Sequence, residues 1–296
     1  MIVLLQSAAV GLNQWSTEMG QAIWYGRGRK YWESASSSND GVLCGSAHVH
    51  EADIADSLDF LSAPQAEGEP PLWPLPHTTT SRALDVGAGI GRVSRDLLLN
   101  ICDELDMVEG CEKFVREAER TLDGNTARPA QRGRMRRFIC ADLQSFVVPD
   151  AVAQPYHLIW IQWCVGHLTD ADLERLLREC TRALAPGGLL VLKDNAFESS
   201  KIDAETRSEV VDGTYLVSEQ DSSVIRTLEH LVSIVRAGCH VGSACDLVAT
   251  THAKLNDPEL CPVVTLAVRA RRSQDGAATA ESAAHAKPVM GNARDN

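Results

Sequence analysis

A chain of 296 residues, 44% of them apolar, with a formal net charge of −12, has enough material for one α/β domain with appendages and a filled core. Its acidity sets it against phosphate backbones, so nucleic acid is disfavoured as a partner and a cationic one is favoured. No apolar run approaches a membrane span, and nine scattered cysteines without CxxC spacing argue for a reducing compartment and against structural zinc.

The opening MIVLLQSAAVGL is mildly apolar but has no basic flank and no small-residue cleavage site. It reads as a poorly ordered start or a docked helix rather than a signal peptide. Residues 1–30 as a whole are weakly patterned. Residues 31–80 form an extension that starts with Tyr31 and Trp32, contains the amphipathic helix DIADSLDFL, and ends in the loop EGEPPLWPLPHTTT. From residue 81 strand and helix patterns alternate, the signature of a parallel sheet with crossover helices. The predicted strands are RALDVG, ELDMVE, RRFICAD, YHLIWIQW and GLLVLKDN; the helices between them are GRVSRDLLLN, EKFVREAERTL and DADLERLLRECTRAL. Thr169 or Asp170 caps the last helix and the PGG at 186–188 stops it. A polar insertion follows at 196–217. Asp221 then opens a helix through SSVIRTLEHLVSIVRAG, and HVGSACDLVA with PVVTLAVRA closes the sheet as an antiparallel pair. The domain spans 81–270, and the Ala-, Ser- and Gly-rich stretch 271–296 reads as a disordered, dispensable tail.

The run Leu84-Asp85-Val86-Gly87-Ala88-Gly89-Ile90-Gly91-Arg92 ends an apolar strand in a Gly-rich turn that opens a helix. Glycine permits left-handed backbone and close approach to a ligand. Glu109 stands eighteen residues beyond Gly91, at the end of the next strand, where a carboxylate can accept both hydroxyls of a ribose. A dinucleotide fingerprint reads GxGxxG, whereas this turn reads GxGxG with an acid two positions before it. That form resembles the turn of S-adenosylmethionine enzymes, whose ligand has no pyrophosphate to cradle. Asp142-Leu143-Gln144 follows the third strand, a position beside the adenine in such folds. His48 and His50 have no neighbouring acids at ligand spacing, so no metal is expected. The short basic run Arg132–Arg137 lacks interleaved aromatics and reads as a solvated loop.

Trp160-Ile161-Gln162-Trp163-Cys164-Val165-Gly166-His167-Leu168-Thr169-Asp170, with Leu192-Lys193-Asp194-Asn195 and Asp221-Ser222-Ser223-Val224, closely resembles the α-N-terminal protein methyltransferases, which act on X-Pro-Lys N-termini. The resemblance runs from about Tyr31 to Arg269. It implies a class I S-adenosylmethionine-dependent methyltransferase: an α/β, Rossmann-like, mostly parallel sheet with a late antiparallel hairpin, helices on both faces and an N-terminal helical extension. It implies S-adenosyl-L-methionine as cofactor, held by Gly87, Gly89, Arg92, Glu109, Leu143, Gln144 and Gln162, with Arg92 on the methionine carboxylate. Substrate contacts fall to Tyr31, Trp32, Leu43, Val49, Trp163, His167, Ser218 and Ser223. Asn195 and Asp221 stand at the amino group as catalytic residues. The implied partners are protein N-termini, in the cytoplasm or nucleus. Two stretches, 64–80 and 196–217, are longer than the family pattern. Ser218 replaces a family acid (Glu219 is adjacent), Cys261 replaces a Tyr, and the segment near residue 44 reads Cys-Gly-Ser-Ala. Alternatives are a catalytically weak paralogue that regulates a partner, a small-molecule methyltransferase of the same fold, and, less favoured, a nicotinamide oxidoreductase.

Overall fold

The computed structural model describes residues 14–64, 68–73, 80–122, 131–149, 153–255, 257 and 260–272. The apolar start and most of the predicted tail, 273–296, lie outside these residues. Arg271 and Arg272, assigned to the tail from sequence, belong to the fold. Arg271 ion-pairs with Asp246 at 2.7 Å, and its backbone N–H donates to the Ala244 carbonyl.

Strands β1 (Arg82–Val86), β2 (Glu104–Glu109), β3 (Arg134–Cys140), β4 (Tyr156–Gln162) and β5 (Leu184–Phe197) pair in parallel in the order β3-β2-β1-β4-β5. β8 (Cys245–His252) and β9 (Val263–Ala270) complete that edge, β9 lying antiparallel between β5 and β8. The antiparallel pair expected from the sequence is therefore present. Side chains alternate across the sheet, as the two-residue period requires. Ile159 and Ile161 pack among Leu173, Leu176 and Val235, whereas Leu158 and Trp160 pack among Phe60, Leu61, Leu97 and Leu98. Helices on both faces, including α6 (Asp170–Arg182) and α8 (Leu228–Gly238), cover this core. Thr169 is the N-cap of α6, accepting from the Asp172 backbone N–H, and that helix ends at Arg182, ahead of the PGG, which lies within β5.

Two expectations are corrected, and two further stretches gain detail. The weakly patterned region before residue 31 contains α1 (Glu18–Ser34), capped by the Thr17 hydroxyl. Its signal is sparse because the helix is polar overall; only Tyr25, Gly28, Arg29 and Trp32 recur at i, i+3, i+4 and i+7. The helix read from Asp221 onward begins only at Leu228. Residues Ser223–Thr227 form strand β7, paired antiparallel with β6 (Tyr215–Ser218). Alternating burial of Val224 and Arg226 wins over helical periodicity here, and Thr227 caps the helix instead, its hydroxyl accepting from the His230 N–H. The insertion is likewise structured: it starts as the end of β5, carries the short helix Ala204–Glu209, and runs into β6. β5 pairs with β4 as far as Lys193 and with β7 from Ala196, so the β6–β7 hairpin sits beyond the end of β4. The expected helix at 91–100 is a π-wound segment, Ser94–Leu98, followed by one short turn, Leu99–Ile101.

One buried carboxylate joins the extension to the sheet. Asp53 lies on α3 (His50–Ser62) and is fully buried. It accepts from Arg92 Nη1 at 2.7 Å and from Gln162 Nε2 at 2.9 and 2.8 Å, and pairs with Lys193 Nζ at 2.8 Å. Burial pushes its pKa up, but Arg92 and Lys193 outweigh burial and hold it below the usual aspartate range. A carboxylate with a lowered folded pKa stabilises fully above its unfolded pKa and loses that contribution as pH falls from there through the folded pKa. Stability should therefore drop as pH falls below about 4, and Asp53→Ala should remove about 3–5 kcal/mol by stranding the buried Arg92 guanidinium and leaving Lys193 with Asp56 as its one carboxylate. Urea unfolding of both proteins at neutral and acid pH checks this: the gap between them should shrink in acid.

Candidate active site

The Gly-rich turn leaves β1 with Gly87, Gly89 and Gly91 at φ +71°, +58° and +76°, a region that L side chains rarely enter. A Cβ on Gly87 would stand 2.6 Å from Cys164 Sγ, so the loop admits only glycine there. The backbone N–H groups of Gly87 and Ala88 donate to the Val108 carbonyl, which ties the turn to β2. Glu109, at the end of β2, accepts from the Gly89 N–H at 2.9 Å and the Cys111 N–H at 2.8 Å. Burial raises its pKa, and these backbone donors oppose the rise. Asp85, buried in β1, accepts from Ser94 Oγ at 2.6 Å; desolvation pushes its pKa up to about 6.

These groups line a cleft of about 1190 Å³ that contains all seven sequence-predicted cofactor residues: Gly87, Gly89, Arg92, Glu109, Leu143, Gln144 and Gln162. Two of them are held by Asp53. Arg92 gives Nη1 to Asp53 and to His50 Nδ1, and its guanidinium lies 5.4 Å from the Trp163 ring centre. Gln162 accepts from Trp160 Nε1 at 2.8 Å while its own NH₂ faces Asp53. Helix α1 roofs the cleft with Trp24, Tyr25, Gly28, Arg29 and Trp32, residues of which the sequence reading singled out only Trp32. Trp24 Nε1 donates to the His167 carbonyl at 2.8 Å, and Arg29 pairs with Asp142.

A second cavity, of about 1090 Å³, adjoins the first through the shared residues Trp32, Val42, Leu43, Trp163 and His167. Asn195, Asp221, Ser223 and Val49 line it, together with Cys44 and Cys261. His167 is fixed at this boundary. Trp32 Nε1, which can only donate, meets Nε2 at 3.1 Å; the Ser222 carbonyl, which can only accept, meets Nδ1 at 3.1 Å. Both bonds require the neutral Nδ1–H tautomer. Asn195 Nδ2 donates to the Cys261 carbonyl at 3.0 Å, so the amide oxygen is the group left to accept in the cavity. Asp194, given no role by the sequence reading, also lines the cavity; it accepts from the Asn195 and Val165 N–H groups, and burial raises its pKa. Only its buried setting marks it out, which the sequence does not reveal.

Two predicted substrate residues line neither cavity. Ser218 faces Ser223 in the register of the hairpin, and Tyr31 stacks edge-on against Trp32 while its hydroxyl donates to Cys44 Sγ at 3.5 Å. Asp221 sits in the hairpin turn rather than at a helix start, and its carboxylate accepts from Ser223 Oγ at 2.9 Å. Arg226 clamps the hairpin in place, pairing with Asp170 at 2.8 Å and donating to the Val165 and Leu168 carbonyls on either side of His167.

A family model described as AdoMet dependent proline di-methyltransferase matches residues 20–268. The chain belongs to that family. It is 35% identical over 245 residues to a Bos taurus N-terminal Xaa-Pro-Lys N-methyltransferase 1, covering 83% of this chain and 95% of the relative. It is 30% identical to an Arabidopsis thaliana alpha N-terminal protein methyltransferase 1, over 77% of each chain. Among solved structures, a SAM-dependent methyltransferase from Leishmania major superposes with TM-score 0.65 at 30% identity, covering 83% of this chain and 82% of that one. A Haemonchus contortus phosphoethanolamine N-methyltransferase bound to S-adenosylhomocysteine, at 17% identity and TM-score 0.57, shares the fold. The chain is an S-adenosylmethionine-dependent methyltransferase with the class I fold, and its first cavity fits that donor: a glycine cradle, a carboxylate at the end of β2 and a fixed guanidinium. The Trp163 Nε1–H, buried on the shared wall without a partner among the described residues, is a further donor of the kind a ligand satisfies.

Glu109→Ala should weaken S-adenosylhomocysteine by about 1.5–3 kcal/mol, the worth of a charged hydrogen-bond acceptor. Gly87→Ala should abolish measurable binding, because both φ and the Cys164 contact oppose a Cβ. Isothermal titration calorimetry reads both, and wild-type affinity in either variant would remove the assignment of this cleft.

Proposed function

We propose that the chain methylates the α-amino group of protein N-termini of the Xaa-Pro-Lys kind, in a reducing compartment, cytoplasmic or nuclear. The observation that carries this reading is the character of the second cavity. Asp194, Asn195 and Asp221 line it, and no Lys or Arg does among the described residues. An α-amino group with a free pKa of about 7.7–8.0 arrives largely as an ammonium. The acidic cavity attracts that cation, and Asp221 steadies it and takes the proton it must shed. The Asn195 amide oxygen accepts the remaining N–H and turns the nitrogen lone pair toward the wall shared with the donor cleft. The bound donor supplies an electrophilic methyl on a sulfonium. Asn195 and Asp221 would hold the amine nitrogen in line with that methyl, so that a C–N bond would form as sulfur keeps the electron pair of the C–S bond. Trp32, Trp163 and His167 set the boundary the methyl crosses and exclude water from it, so positioning provides much of the rate. The names of the relatives support the choice of substrate, and the neutral, doubly bonded His167 supports a positioning role for that ring.

Incubation of an Xaa-Pro-Lys peptide with the protein and S-adenosylmethionine, followed by mass spectrometry, should show methylation confined to the N-terminal amine. Asp221→Asn should lower kcat by about 10²- to 10⁴-fold, the usual reach of general acid–base catalysis, with S-adenosylhomocysteine affinity unchanged. A peptide that stays unmodified under saturating donor would overturn the reading in favour of a catalytically weak relative.

A further inference from the structure

Four serines are buried in the described residues: Ser57, Ser81, Ser94 and Ser222. Three bond through their hydroxyls, Ser57 to the Asp53 carbonyl, Ser81 to Asp103 and Ser94 to Asp85. Ser222 is 1% exposed, and its Oγ meets no hydrogen-bond partner among the described residues. It also sits at φ +53°, in the left-handed region that non-glycine residues seldom occupy. Strain and an orphaned hydroxyl at one residue of a catalytic turn are the marks of a group held ready for a ligand.

Its position says which ligand. Asp221 and Ser223 line the second cavity, whereas Ser222 between them lines the first. The turn is closely packed there: the Ser222 carbonyl accepts from His167 Nδ1, and a Cβ on Gly28 of the roofing helix would lie 3.3 Å from the Asp221 carbonyl and 3.9 Å from Ser222 Cβ.

We propose that Ser222 is a ligand of the donor site: its hydroxyl bonds a polar group of bound S-adenosylmethionine and thereby couples occupancy of the donor cleft to the turn that presents Asp221. This rests on the assignment of the first cavity to that donor. Without ligand the hydroxyl is desolvated and unbonded, so it opposes folding; with ligand it is satisfied. Coupling is reciprocal, so a filled donor cleft should raise peptide affinity, and the peptide should raise donor affinity by the same factor.

The two consequences have opposite signs, which separates binding from scaffolding. Ser222→Ala and Ser222→Gly should melt at or above the wild-type temperature when ligand-free, Gly highest because it also relieves φ. Both should bind S-adenosylhomocysteine about fivefold more weakly by calorimetry, the effect of one ordinary hydrogen bond. In wild type, S-adenosylhomocysteine should tighten binding of an Xaa-Pro-Lys peptide, read by fluorescence polarisation; in the variants this gain should shrink. Unchanged affinity in both variants overturns the proposal. So does a fall in ligand-free melting temperature that tracks the loss of affinity, since that marks a structural role. If wild type itself fails to bind S-adenosylhomocysteine, the donor-site assignment falls instead, and the two failures are told apart by that control.

Discussion

Asp53 is a carboxylate out of reach of water, and the geometry of the donor cleft depends on how it is neutralised. An isolated buried charge costs far more than a domain's net stability can absorb, so it persists only when paired. Here Arg92 and Lys193 pair it and Gln162 fills its remaining acceptor capacity. These three come from the helix after the glycine turn, from β5 and from β4, and Asp53 itself from the N-terminal extension. Four segments far apart in sequence are thereby held at one point. Arg92 and Gln162 line the donor cleft, so a residue outside it sets the place of two that face the ligand. Such a network adds little net stability over an apolar core but penalises every misassembly that leaves a charge alone.

A second clamp works beside the second cavity. Arg226 binds Asp170 and the two carbonyls flanking His167, and Tyr215 and His230 converge on the same aspartate. This fixes the β6–β7 hairpin against the turn after β4. Helix α1 closes over both through Trp24 and Trp32, which meet the carbonyl and the ring of His167. The histidine thus accepts from the roof through Nε2 and donates to the hairpin through Nδ1. The two cavities touch where these three elements meet.

What was legible in the sequence was local. The strand, the GxGxG turn and Glu109 follow from short-range rules: period-two burial, φ above zero that only glycine tolerates, and a fixed distance to the end of the next strand. Thr169 at the head of α6 is equally local. The hairpin was not legible, because VIRTLEHLVSIV carries both a two-residue and a near-helical apolar spacing. Pairing with β5 and β6 and the clamp on Arg226 select the strand for its first part. Helix α1 escaped for the opposite reason: its contact face is made of aromatics, two glycines and an arginine, a composition without an apolar stripe.

The sequence by itself determined the five parallel strands and their closing antiparallel pair, the glycine cradle, the carboxylate that ends β2 and the family, since each lies within a few residues of a backbone constraint or inside a contiguous motif. The tertiary structure decided that Arg92 and Gln162 answer to Asp53, that Asp194 joins Asn195 in the second cavity, and that Ser218 and Tyr31 stand back from it. It also decided that Ser222 turns away from its neighbours toward the donor cleft. Each of these depends on which distant segment supplies a buried polar group with its partner, and burial is a property of the assembled chain that no local pattern encodes.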